Sequence, residues 1–175
     1  LVALSLAATD FRPEQWIPGI PAMQLTGTAT LKPATGTSFT VAGPFSVANA
    51  LPGPIDRQRI PVQSARGTLR WSAAMLELAI ERIDAAGGTA RGGMTRSADG
   101  AVSAKATFTG IDGARIHSAV TPTLASGQLE YRLDNGQQRF TGRASNAKGL
   151  ALDADFAVVL ANDALDIQRA AARLG

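Results

Sequence analysis

Apolar and polar residues alternate with a period of two along most of this 175-residue chain. No other feature constrains the fold as strongly, because a strand sends successive side chains to opposite faces. Met23, Leu25, Gly27, Ala29 and Leu31 alternate with Gln24, Thr26, Thr28 and Thr30. The pattern returns in Phe39, Val41, Gly43, Phe45 and Val47, and again in Gly67, Leu69 and Trp71. It continues through Val102 to Phe108, Gly127 to Leu133 and Phe140 to Ala144, and is longest from Leu150 to Leu160. Hairpin dipeptides, Asp99-Gly100 and Asn135-Gly136, separate some of these runs. Thr35-Gly36, Gly87-Gly88 and Ala147-Lys148-Gly149 are weaker turn signals. About eleven short strands at 8–12-residue spacing make an all-β antiparallel meander.

Three segments interrupt the rhythm. Phe11 to Pro21 carries three prolines around Trp16 and Ile17, and Pro13-Glu14-Gln15-Trp16 fits one helical turn. Ala50 to Pro61 is a proline-rich loop, and Gly110 to Ser126 is a longer crossing with the only histidine, His117. Ser72 to Ala86 pulls two ways. Its composition and the spacing of Leu76, Ile80 and Ile83 favour a helix capped by Ser72, while Leu76, Leu78 and Ile80 alternate as a strand does. Ala164 to Leu174 poses the same choice. At the N-terminus Val2, Leu4 and Leu6 alternate, so the chain reads as starting inside a strand and as a piece of a longer protein.

The residues give no catalytic constellation. Gly-x-Ser-x-Gly, phosphate-loop and Gly-x-Gly-x-x-Gly patterns are missing, as is cysteine. Gly87-Gly88-Thr89-Ala90-Arg91-Gly92-Gly93 resembles a phosphate cradle, but no Lys-Ser/Thr follows, and bends in two strands account for it. His117 reads as a loop residue, and Asp153 and Asp155 as the solvated side of a strand. The arginines are scattered and the net charge is +3, which argues against a nucleic-acid partner. We therefore expect no enzyme activity, no metal and no cofactor. Hydrophobic residues make up 45% of the chain, but aromatic ones only 5%. A sandwich core needs bulkier side chains than Ala and Gly. A curled sheet with small residues on its concave side fits better, its apolar face completed by something else, such as an acyl chain.

The order of elements resembles a segment of the TamB family, long periplasmic proteins related to the AsmA-like bridge-type lipid carriers. The resemblance runs from about Phe11 to Gly175: a Trp-Ile-Pro-Gly-Ile-Pro entry, Leu-Thr-Gly-Thr-Ala-Thr-Leu, the stretch Phe45 to Val62, then Ala-Arg-Gly-Thr-Leu-Arg-Trp and a Gly-Ile-Asp crossing. Its most specific part is Asn-Ala-Leu-Pro-Gly-Pro-Ile-Asp. The resemblance implies one U-shaped, taco-like groove over residues 1–175, an internal periplasmic segment of a Gram-negative protein anchored in the inner membrane outside this stretch. It implies phospholipid acyl chains as cargo between the inner and outer membranes, and a link to outer-membrane protein assembly through the Omp85-type barrel TamA, contacted by other parts of the full-length protein. It makes Ser72 to Ala86 strand, and Ala164 to Leu174 a last strand. The expected lining is Leu25, Leu31, Phe39, Val41, Phe45 and Val47, then Leu69, Trp71, Leu76, Leu78 and Ile80. Val102, Phe108, Leu129, Tyr131 and Phe140 follow, with Leu152, Phe156 and Val158. Competing expectations are a chaperone-like module that holds outer-membrane protein strands, and a structural spacer with a packed interior.

Overall fold

The computed structural model of the chain describes residues 3–34, 40–146, 152–161 and 164–174; along the last two stretches the description is of strand pairing. Phe39, Thr35-Gly36 and Ala147-Lys148-Gly149 lie outside the described residues. The fold is all-β. In chain order the strands are β1 (Leu4–Phe11), β2 (Leu25–Pro33), β3 (Thr40–Asn49), β4 (Val62–Ser72), β5 (Met75–Ala85) and β6 (Gly88–Ser97). They continue as β7 (Val102–Asp112), β8 (Leu124–Asp134), β9 (Gln137–Asn146), β10 (Leu152–Ala161) and β11 (Ala164–Leu174). Every strand pairs antiparallel with its sequence neighbours, and β1 and β11 do not pair with each other. The result is one unclosed, curled sheet.

Ser72 to Ala86 is strand, and its helix-like spacing has a physical cause. Gly67 pairs with Ile80 and Arg66 with Arg82, so Glu81 is an extra residue in β5. This bulge resets the alternation: Leu76, Leu78 and Ile80 share one face, and after two residues Ile83 rejoins it. Ala164 to Leu174 is strand too. Pro13–Gln15 forms the expected single turn. Two boundaries differ from the sequence reading. β2 begins at Leu25, because the Met23 amide is drawn out to the Glu14 carboxylate at 3.3 Å and Gln24 to Asn49. The Gly110 to Ser126 crossing shrinks to residues 113–123, with one helical turn, α1 (Gly113–Ile116), capped by Asp112. Asn135-Gly136 turns with φ of 47° and 77°, and Ala86-Gly87 with 47° and 81°, the left-handed pairs a two-residue hairpin requires.

Among the described residues, no second layer covers the sheet. The surface exposed is 11438 Å², against about 8,100 Å² for a compact monomer of this mass. No large side chain among the described residues is fully buried. Curling shields one face instead. Neighbouring backbones approach most closely at glycines of the apolar face: a Cβ at Gly92 would run into the Lys105 carbonyl oxygen and come within 2.8 Å of the Ala106 Cα. At Gly93, on the other face, the nearest atom would be the Leu78 carbonyl oxygen at 3.2 Å. Alanines report the same asymmetry, since Ala90, Ala104 and Ala106 are half-buried while Ala48 and Ala79 on the polar face are exposed. The apolar face is therefore the side on which neighbouring backbones crowd most closely.

Gly92→Ala is expected to destabilise the fold by about 2–3 kcal/mol and Gly93→Ala by under about 1 kcal/mol; urea unfolding followed by circular dichroism measures both.

Candidate functional site

The register assembles the apolar face in rows that cross the strands. One row runs through Val47, Ala65, Ile83, Ala90 and Phe108. The next runs through Phe45, Gly67, Ile80, Gly92, Ala106 and Leu129, with small residues between the large ones. A third joins Leu69, Leu78, Met94, Ala104, Tyr131 and Phe140. Tyr131 and Phe140 touch with ring centroids 4.8 Å apart. The fourth carries Val41, Trp71, Leu76 and Val102, with Arg96 as a polar interruption between the last two. Leu25 is opposite Asn49 at one end of β2, and Leu31 is buried near the other. Leu152, Phe156 and Val158 pair with Leu174, Gly142 and Phe140, and only this pairing is described for them.

Of the expected lining, Leu31 and Val41 are buried, Trp71 is 52% exposed at the strand ends, and the others with described side chains are half-buried. Sequence reasoning left Ile83, Met94 and Ala65 out of the lining. The bulge hid Ile83; Met94 and Ala65 sit in strands whose glycines and arginines blur the alternation.

The opposite face is polar. Thr68, Ala79, Gly93, Lys105 and Glu130 form one of its rows. Lys105 Nζ donates to Glu130 at 2.9 Å and holds that carboxyl below its ordinary range. Around small Gly93 lies a shallow depression of about 760 Å³, bounded by Glu81, Arg91, Lys105 and Glu130 and also lined by Ile80, Gly92, Ala106 and Leu129. His117 is an exposed loop residue whose Nδ1 accepts from the Ala119 amide at 3.2 Å. Asp153 and Asp155 pair with Arg173 and Ala171 in the backbone ladder.

The two rims of the sheet differ. On one, hairpins at residues 73–74, 98–101 and 135–136 turn tightly. On the other, the long connections 12–24, 50–61 and 113–123 are tied to one another. Ala22 bridges to Arg59, and its amide donates to Gln58 O at 2.8 Å. Asn49, 7% exposed, accepts from the Gln24 and Leu51 amides, both at 3.1 Å, and donates to Val62 O at 3.1 Å. Asp56 accepts from the Ser118 amide at 3.0 Å and from the Ser118 hydroxyl by a short bond. Asn49 and Asp56 thus join loops that are distant in sequence, and both belong to the Asn-Ala-Leu-Pro-Gly-Pro-Ile-Asp stretch. The Ser118 bonds lower the Asp56 pKa from its ordinary value.

Comparison with protein-family models, with curated proteins and with solved structures finds no match to this chain.

Asn49→Ala strands two amides and a carbonyl and is expected to cost about 2–3 kcal/mol of stability in thermal unfolding. Because the Asp56 carboxyl titrates below its ordinary pKa of about 4, the Asp56–Ser118 clasp contributes in full above that pH and is lost only as the pH falls through the lower folded-state value. The Ser118 amide resonance should stay at its clasped position down to about pH 4 and then move, whereas Asp56→Ala should release it at every pH.

Proposed function

We propose that this chain is a segment of a periplasmic lipid conduit, a taco-like trough of about eleven strands whose apolar inside carries phospholipid acyl chains between the inner and outer membranes. The observation that carries this reading is the apolar face itself: several side chains wide, repeated strand after strand, and covered by no other part of the described chain. An uncovered apolar face of that extent is costly unless something apolar lies on it. An acyl chain of about fifteen methylenes gains roughly 12 kcal/mol on leaving water, at about 0.8 kcal/mol each. A trough of interchangeable Leu, Ile, Val, Phe and Ala supplies that gain at every step, with no deep well to stall transfer. The sheet grows by about 4.8 Å per strand, so the strand count sets how far lipid is carried. The resemblance to the TamB family supports the same reading and adds the periplasm, the inner-membrane anchor outside this segment and the Omp85-type partner.

A second reading has its own observation. β1 pairs on one side only, and Leu4, Leu6 and Phe11 are exposed along it. Such an edge can be extended by another strand, as a chaperone for outer-membrane protein strands would do.

Mass spectrometry of the purified chain tests the first reading, with co-purified phospholipid as the expected result. Leu129→Arg places a charge inside the trough and should reduce retained lipid at least tenfold while leaving the strand signal in circular dichroism intact. Glu130→Arg, on the polar face, should change neither. Equal loss in both variants, or global unfolding by Leu129→Arg, would contradict a one-sided trough, and crosslinks of β1 to unfolded barrel strands without retained lipid would favour the second reading.

A further inference from the structure

Where the 50–61 connection meets α1, the long-loop rim holds a pocket of about 440 Å³. Arg57 and Arg115 both line it, with Ser118 and Gln63. Pro52, Pro54 and Pro61 add stiff apolar wall. No carboxylate is among the residues that line this pocket, although Asp10, Glu14, Asp56 and Asp112 lie along the rim. Each is committed to holding the loops. Asp10 accepts from Gln24 Nε2 at 2.9 Å, Glu14 from the Met23 amide, Asp56 from Ser118, and Asp112 from the Ala114 and Thr123 amides at 3.1 Å.

The two guanidiniums are differently placed. Arg57 is exposed and has no ion-pair partner among the described residues. Arg115 reaches Asp112 only at 3.8 Å and lies across Gly87, where a Cβ would stand 3.3 Å from its Cδ, Nε and Cζ. Gly87 has φ of +81°, so the turn both requires glycine and leaves the space that Arg115 occupies. The Asp56–Ser118 clasp fixes the distance between the two loops that carry Arg57 and Arg115. Gln63 stands at the end of β4 that leads into Ala65, Gly67 and Leu69 of the apolar face, so the pocket opens where the strands of the trough end. Two planar donors, with no carboxylate among the lining residues and only the 3.8 Å contact of Arg115 to Asp112, in a pocket of headgroup size beside an apolar channel, match a phosphodiester joined to acyl chains.

The geometry points to a headgroup subsite: Arg57 and Arg115 hold the phosphate of a glycerophospholipid whose acyl chains lie on the apolar face. The assignment rests on the trough reading and adds what that reading lacks, a polar contact at the lip. Ser118 has one hydrogen committed to Asp56 and keeps its lone pairs for water or a headgroup donor. The contact lies at the surface, where water screens it, so it orients the lipid without trapping it.

Two fluorescent probes with the same labelled acyl chains test the assignment on the 175-residue chain, phosphatidylglycerol and diacylglycerol. Arg57→Gln combined with Arg115→Gln should weaken phosphatidylglycerol binding at least tenfold and leave diacylglycerol binding within twofold. Arg59→Gln, on the same rim but outside the pocket, should change neither, and the double Lys variant should recover part of the loss. Undiminished phosphatidylglycerol binding by the double Gln variant overturns the subsite while leaving the trough standing, as does equal loss of both probes with strand content intact. Displacement of phosphatidylglycerol by an equal concentration of inorganic phosphate makes the pocket a free-anion site and overturns the lipid assignment. Failure of both probes to bind the unaltered chain sinks the trough reading and this one with it.

Discussion

The structure depends on a sheet that is apolar on one side and, among the described residues, has no second layer to pack against. In a sandwich the two inner faces bury each other; here the only means of shielding the apolar rows is curvature. The small residues follow from that. Phe45 lies between Ala29 and Gly67, and Leu129 between Ala106 and Gly142, so each large side chain fills space that its neighbours leave open. Replacing those small residues by large ones would push the rows apart and flatten the sheet, even though such changes raise hydrophobicity.

Curvature also separates the work of the two faces. The polar face carries ordinary surface chemistry, such as the Lys105–Glu130 pair and Arg82, whose Nε and Nη2 both donate to Asp84 Oδ1, at 2.9 and 2.7 Å. Those charges are exposed and contribute little to stability. The structural polar bonds sit at the rim, where Asn49 is nearly buried and each of its side-chain polar atoms is satisfied within the protein. In the tight hairpins such ties are local, as where Asp99 accepts from the Ser97 hydroxyl at 2.6 Å and the Ala101 amide at 3.1 Å. In the long connections they reach from one loop to another.

Most of the strand framework was legible in the sequence because a one-sided sheet writes its burial pattern directly into the alternation. Leu69, Leu78 and Leu129 could be assigned to one face from period two alone, and Asn135-Gly136 to a hairpin from its dipeptide. What could not be read depended on where the chain breaks its own period. Ile83 sits three residues after Ile80 because of the extra Glu81, a spacing shared by a bulged strand and a helix. The rim was less legible still. Asp56 and Ser118 are 62 residues apart, and no periodicity connects them. The pocket between Arg57 and Arg115 likewise exists only once the meander has laid two loops side by side.

Among the described residues, successive connections alternate between the two rims: 12–24, 50–61, the Ala86-Gly87 hairpin and 113–123 on one, and the hairpins at 73–74, 98–101 and 135–136 on the other. A chain built this way can lengthen or shorten only by whole hairpins, in steps of roughly 10 Å. Inserting or deleting a single strand would send every later loop to the opposite lip and reverse which edge carries the arginines. Evolution of reach in such a protein is therefore quantised, and duplication of a strand pair is the smallest change in length that preserves its sidedness.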